Sequence, residues 1–284
     1  MSVAQMLQRL LWVAVAALPF VATPDVLSAQ PPDGAVKTLP PVTVTALPTR
    51  GAVEKSYRKM LDGMDLFERM HGMAPAASLR FKLLPRQPGT DMDHVVLEIL
   101  GDTVAIPVRV EADRTFTLVR DRAALAENAA VTPNRRKQSM TWRVDIRTPG
   151  LPQNTRRLGD LRLECLVGHE AGLISNPSPL FGQLARALTS FVDYCNLDDP
   201  EYLFFADRPL FNVVMVNGAR RESVPVDRLY AGASVDPHFK DDLPYCDCEV
   251  LIDRTYFLPL GDKSWPDDTL IEFEYMDDDV RAPA

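Results

Sequence analysis

With 284 residues the chain is long enough for one or two domains with a substantial core, and its 25% charged residues are ordinary for a globular protein. A net charge of -8 excludes a nucleic-acid binder on whole-chain charge. No P-loop, dinucleotide fingerprint or G-x-S-x-G elbow is present, so no cofactor is expected.

In chain order, residues 1–29 look like an export address. Arg9 and the free amino group precede an apolar run from Leu10 to Ala22, and the small residues Ser28 and Ala29 follow. These are the parts of a secretory signal peptide. The run contains Pro19 and is about thirteen residues long, short for a bilayer span. The mature chain is therefore expected to start between Gln30 and Pro32 and to be periplasmic or secreted, with no integral membrane span left. A retained N-terminal anchor is the alternative. The first cysteine is Cys165, so a lipoprotein anchor is not expected.

Residues 30–51 read as a linker, kept extended by Pro31, Pro32, Pro40, Pro41 and Pro48. Within it, L-P-P-V-T-V-T-A (Leu39 to Ala46) resembles the TonB-contacting segment of TonB-dependent outer-membrane receptors. Those receptors continue into a plug and a large barrel, for which this chain is too short, and the stretch is read as linker. From Ala52 to Met70, Val53, Tyr57, Met60, Leu61, Met64 and Phe67 recur at helical steps, and Gly72 and Pro75 end the helix within segment 52–77. Met60, Met64, Met70 and Met73 are read as an adaptable packing face rather than a soft metal site.

Residues 78–168 show β texture. Leu79, Phe81 and Leu83 alternate with Arg80 and Lys82; V-V-L-E-I-L and a Gly101-Asp102 turn follow. Val104 to Val110 alternates again, with Pro107 confined to an edge or a bulge because it cannot donate to a ladder. D-R-T-F-T-L resembles a hairpin of transthyretin-like accessory domains, and Asp121 to Ala130 suits a helical turn or two. The strongest signal is M-T-W-R-V-D-I-R, a turn, then L-G-D-L-R-L-E-C-L-V. Met140, Trp142, Val144 and Ile146 face one way, with Thr141, Arg143, Asp145 and Arg147 on the wet side; Leu161, Leu163, Cys165 and Val167 repeat the period. This predicts an antiparallel strand pair.

Residues 169–196 read as a loop and a second amphipathic helix, Pro179 to Tyr194, capped by Ser178 and carrying Leu184, Leu188 and Phe191 on one face. Residues 197–284 return to strands: Y-L-F-F, F-N-V-V-M-V, the hairpin signal Asn217-Gly218, then E-V-L-I, R-T-Y-F-L-P-L and T-L-I-E-F-E-Y. The expected fold class is mainly β: an antiparallel β-sandwich of immunoglobulin- or transthyretin-like texture, with two amphipathic helices and a second, acidic β-rich unit.

Charge is unevenly placed. From Asp236 to Asp279 there are 14 acids and 3 bases; from Arg80 to Arg162 there are 15 bases and 10 acids. The simplest accounts are two solvated faces of opposite sign, or two halves that dock on each other; the sharper ones are a cation site or a basic surface for an anionic partner. As metal ligands the candidates are Asp236, His238, Asp241 and Asp242, with Cys246 and Cys248 nearby, though the spacing matches neither an EF-hand nor a paired C-x-x-C site. His169-Glu170 has the chemistry of a general base, but sequence neighbours point apart. Asp91, Asp93 and His94 suit a turn, and Arg135-Arg136-Lys137 suits a solvated loop.

Four cysteines in an exported chain predict disulfides from Cys165, Cys195, Cys246 and Cys248. A bond between Cys246 and Cys248 would need a kink, so the expected pairings join Cys165 and Cys195 each to the C-terminal pair. The function expected is an exported accessory or binding protein that contacts another envelope protein or a cell-surface polymer. The alternative is a secreted metal-dependent hydrolase using the Asp236–Asp242 cluster or His169.

Overall fold

The computed structural model describes residues 53–174, 195–196, 202–232 and 251–277. The chain opens with strand β1 (Lys55–Ser56) and helix α1 (Tyr57–Met70), whose first turn is capped by the Ser56 hydroxyl accepting from the Lys59 amide at 3.4 Å. Strands β2 (Ser78–Pro85), β3 (Leu97–Leu100), β4 (Ala105–Val108) and β5 (Thr115–Phe116) follow, then a short helix α2 (Arg122–Ala126) capped by Asp121. Next come β6 (Ala130–Pro133), β7 (Met140–Arg147), β8 (Thr155–Arg157) and helix α3 (Leu158–Glu170). The C-terminal part contributes β9 (Phe204–Phe205), β10 (Leu210–Asn217), β11 (Arg220–Ser223), β12 (Thr255–Tyr256) and β13 (Leu270–Tyr275).

The protein is mainly β, and its ladders are antiparallel. The sheets run β1-β6-β3-β4, β5-β2-β7 and β11-β10-β13-β8, with a separate β9–β12 pair. Pro107 lies on β4, at the edge of its sheet, where a missing donor is tolerated. Asn217-Gly218 closes the β10–β11 hairpin, with Gly218 at φ +58.

Three expected elements are corrected: the helix expected from Ala52 begins at Tyr57, behind strand β1; the described end of the expected strand E-V-L-I is a turn at Leu251 and a 3-10 helix, Ile252–Arg254; and the second strand of the central pair is a helix. Residues 161–167 form no strand but the middle of α3, and the partner of β7 is β2, in register from Ser78↔Arg147 to Pro85↔Met140. The apolar residues of α3 serve two faces. Leu163, Val167 and Ala171, four apart, enter one core with Tyr57, Phe81, Phe116 and Trp142. Leu158, Leu161, Cys165 and Leu166 enter a second with Tyr202, Phe204, Tyr256 and Trp265. Two helical stripes overlaid on one short segment imitate a period of two, and a helix apolar on both sides is a buried one. Strand β8, just before α3, pairs with β13 (Ile271↔Arg156).

The predicted helix from Pro179 to Tyr194 lies outside the described residues. Among the described residues no helix is long and apolar enough to cross a membrane.

Candidate functional site

The β2–β7 ribbon has one apolar and one charged face. Residues opposite each other on an antiparallel pair share a face. Leu79, Phe81 and Leu83 with Ile146, Val144 and Trp142 therefore enter the first core. The reverse face carries Arg147 beside Ser78, Asp145 beside Arg80, Arg143 beside Lys82 and Thr141 beside Leu84. Alternation predicted this face as wet, yet Thr141, Arg143 and Asp145 are buried. What covers them comes from the C-terminal part. Arg143 donates to the Leu203 carbonyl at 3.0 Å and its guanidinium lies 4.7 Å from the centre of the Phe205 ring. The Asp207 carboxylate takes a two-pronged contact from Arg147, at 3.1 and 3.2 Å, and a further bond from Lys82. Arg254 donates to the Asp207 carbonyl at 2.9 Å, and the Ala206 amide donates to the Arg254 carbonyl at 2.8 Å.

Between ribbon and cover lies a cleft of about 670 Å³. Its cations are Arg80, Lys82, Arg114, Arg143, Arg147, Arg156 and Arg254; its carboxylates are Asp113, Asp145, Glu164 and Asp207. Among the described residues the wall thus carries seven cations and four carboxylates, in a chain whose net charge is -8. Among the described residues three of the cations, Arg80, Arg156 and Arg254, keep unused donors. Arg80 is tied through Nε to the Thr115 hydroxyl at 2.6 Å, and among the described residues neither Arg80 nor Arg254 has a carboxylate within 4.0 Å. The buried Arg254 Nε has no acceptor among the described residues, nor does the buried Arg156 Nε at the back of the cleft.

Electrostatics follow from this crowding. Burial alone would raise the Asp207 carboxyl, but Arg147 and Lys82 overcome it and hold the group down at about 2. Asp207 also helps burial push the Tyr275 hydroxyl up to about 12. At the back, Arg156 and Glu164 form a buried pair at 2.7 Å; Arg156 also donates to the Ile146 carbonyl, and the Ile146 amide donates to Glu164. Burial raises the Glu164 carboxyl, and the downward pull of Arg156 does not offset it. Burial likewise opposes the Arg156 charge, but Glu164 outweighs it and raises the guanidinium. Fixed, always charged forks around a cleft can hold a carboxylate or a phosphate.

The residues singled out in the sequence lie elsewhere. Asp236, His238, Asp241, Asp242, Cys246 and Cys248 fall outside the described residues. Among the described residues no group of three or more His, Cys, Asp or Glu could hold a metal. His169 and Glu170 end α3 rather than occupying a loop after a strand pair. Asp91 accepts from the Asp93 amide at 2.8 Å and pairs with Arg135 at 3.3 Å, with His94 in a left-handed turn at φ 54. The expected cysteine pairing is corrected: Cys165, on α3, is bonded to Cys195, with α-carbons 6.0 Å apart. The helical fold of 158–170 turns Cys165 toward the second core, where Cys195 is also buried.

The cleft was missed because its charges sit on a face that alternation assigns to solvent. The available signal was the charge imbalance. One ion pair joins the two stretches, Arg162 of α3 to Asp267 at 2.7 Å. Compared with protein families, with characterised proteins and with solved structures, this chain shows no match.

Proposed function

We propose that this chain is an exported β-rich binding protein, and that the arginine-lined cleft receives an anionic group carried by an envelope protein or a cell-surface polymer. The observation that carries the reading is the seven cations around one cleft, with Arg80 and Arg254 lacking a carboxylate among the described residues. A volume of about 670 Å³ suits a small ligand or the end group of a larger one. Export rests on the N-terminal signal pattern, and the Cys165–Cys195 bond is compatible with an oxidising compartment.

The test is calorimetric titration with citrate and pyrophosphate at low ionic strength, on the wild type and on a variant carrying Arg80→Ala and Arg254→Ala. Saturable binding that weakens at least tenfold in the variant, and falls as salt rises, supports the reading. Absence of binding by either anion overturns it. Intact mass of the exported product, expected to begin between Gln30 and Pro32, checks the export part.

A further inference from the structure

On the charged face of the ribbon the register sets three successive rows: Arg147 opposite Ser78, Asp145 opposite Arg80, and Arg143 opposite Lys82. Asp207 reaches this face from the cover. Its carboxylate bonds Arg147 in the first row and Lys82 in the third, so it stands over the middle row, in front of Arg80. A two-pronged guanidinium contact completed by an ammonium is how an anionic ligand would itself be held. Asp145 is fixed differently, as a buried residue of the ribbon bonded to Arg147 Nε at 2.9 Å. The Asp207 contacts are open to exchange. The Asp207 and Arg147 side chains are 36% and 34% exposed, against 9% and 5% for the Glu164–Arg156 pair behind them. The cover is also fastened without the carboxylate: Arg254 donates to the Asp207 carbonyl, the Ala206 amide to the Arg254 carbonyl, and Arg143 to the Leu203 carbonyl. Rotation of one side chain therefore releases the carboxylate while the backbone stays in place. There is room for it: a second cavity of about 590 Å³ shares only Arg147 and Asp207 with the cleft among the described residues, and its wall includes Gln153 and Asn154.

We infer that Asp207 is a tethered competitor for the anion site: in the free protein its carboxylate occupies Arg147 and Lys82, and a ligand binds by displacing it and taking those two cations together with Arg80. This rests on the anion-binding reading above and adds what regulates that site. When only a fraction of the molecules is competent to bind, the apparent affinity falls by that fraction, so a carboxylate seated in roughly nine molecules of ten weakens a ligand tenfold. The effect is a threshold. Exchanging one carboxylate for another gains nothing, whereas an anion of higher charge also engages Arg80.

The test is calorimetric titration of the full mature protein with pyrophosphate and with citrate, at one constant ionic strength, on the wild type, Asp207→Asn and Asp113→Asn. Asp113 supplies the reference for loss of charge alone. It lines the same cleft, but its carboxylate accepts from the Thr115 amide and hydroxyl, at 3.0 and 2.7 Å, and among the described residues no Lys or Arg stands within 4.0 Å of it. Both anions should bind Asp207→Asn about tenfold more tightly than the wild type. That gain should exceed the gain in Asp113→Asn, which reports only weaker repulsion. Circular-dichroism melts establish that each variant is folded. Asp207→Ser, which sets no amide against the guanidinium, replaces Asp207→Asn if the latter unfolds. Wild-type binding that is unchanged or weaker in Asp207→Asn, or a gain no larger than that of Asp113→Asn, overturns this inference and leaves the anion site standing. No binding of either anion to any of the three proteins overturns both.

Discussion

Arg156 and Glu164 place opposite charges where water does not reach, and their surroundings show how that is tolerated. Each is bonded to the other and to the backbone of Ile146, so the charges hold the end of β7 against α3. Taking away one member leaves the other buried and uncompensated, which costs about 3–5 kcal/mol. Glu164→Gln is therefore expected to lower unfolding free energy by about that much in a denaturant titration. Arg156→Met with Glu164→Leu, which removes both charges, should recover most of the loss. Asp207 gives a pH signature. Its folded-state value of about 2 is below its ordinary 3.8, so the fold favours the carboxylate. The stability it supplies is complete above about pH 4 and is lost as pH falls from there toward 2. Asp207→Asn should be less stable at pH 7 and show a flatter stability profile between pH 4 and 2; an unchanged profile would mean the Lys82 and Arg147 contacts are not formed in solution. The sequence shows that Arg80, Lys82, Arg143, Asp145 and Arg147 share one side of their strands. It does not show burial, because the covering residues 203–207 are distant in the chain and alternation carries no information on what lies above a face.

At the level of elements, local chemistry was legible and tertiary choice was not. Pro107 sits on an edge and Asn217-Gly218 turns a hairpin, each for a reason contained in a few residues, whereas the Ser56 cap lies inside the helix that periodicity starts at Ala52. Helix α3 is the counter-case. Its Arg157 cap position offers no side-chain bond; the first amides are satisfied from afar, Leu158 by the Thr269 carbonyl and Gly159 by the Asp267 carbonyl, both at 2.9 Å. Asp160, Arg162 and Glu164, which alternation assigns to solvent, are each fixed to a partner, with Asp160 accepting from the Thr148 amide and hydroxyl at 2.8 Å. Gly159 is where this docking is tightest. A β-carbon there would stand 2.3 Å from the Met73 carbonyl oxygen and 3.0 Å from Asp267 Cβ. Alanine is favoured over glycine in a helix by about 1 kcal/mol. Gly159→Ala should nevertheless destabilise the protein by roughly 1–3 kcal/mol, because backbone must move to admit the methyl group. Gly72→Ala, with open space around its β-carbon, should change stability little in the same thermal melts.

For the whole molecule, α3 decides how the parts are coupled. It donates Leu163 and Val167 to the core around Trp142, and Leu161 and Cys165 to the core around Trp265. Neither core can lose α3 and keep its packing, so the two are expected to unfold together. The Cys165–Cys195 bond bears on both for the same reason. It closes a loop across a separation of 30 residues, and in the chain-entropy description such a loop is worth about 3–4 kcal/mol. The cross-link acts on the unfolded chain as a whole, so breaking it should weaken both cores rather than the second one alone. Each core has its own fluorescent reporter: with Trp12 replaced, Trp142→Phe leaves only Trp265, and Trp265→Phe leaves only Trp142. Denaturant titrations of the two variants are expected to give coincident transitions. A Cys165→Ala, Cys195→Ala background should shift both to lower denaturant by the equivalent of about 3–4 kcal/mol. Non-reducing peptide mapping should recover one linked pair containing Cys165 and Cys195. Separate transitions, or a shift confined to the Trp265 reporter, would mean that α3 does not couple the cores and that the bond braces only the side on which it lies.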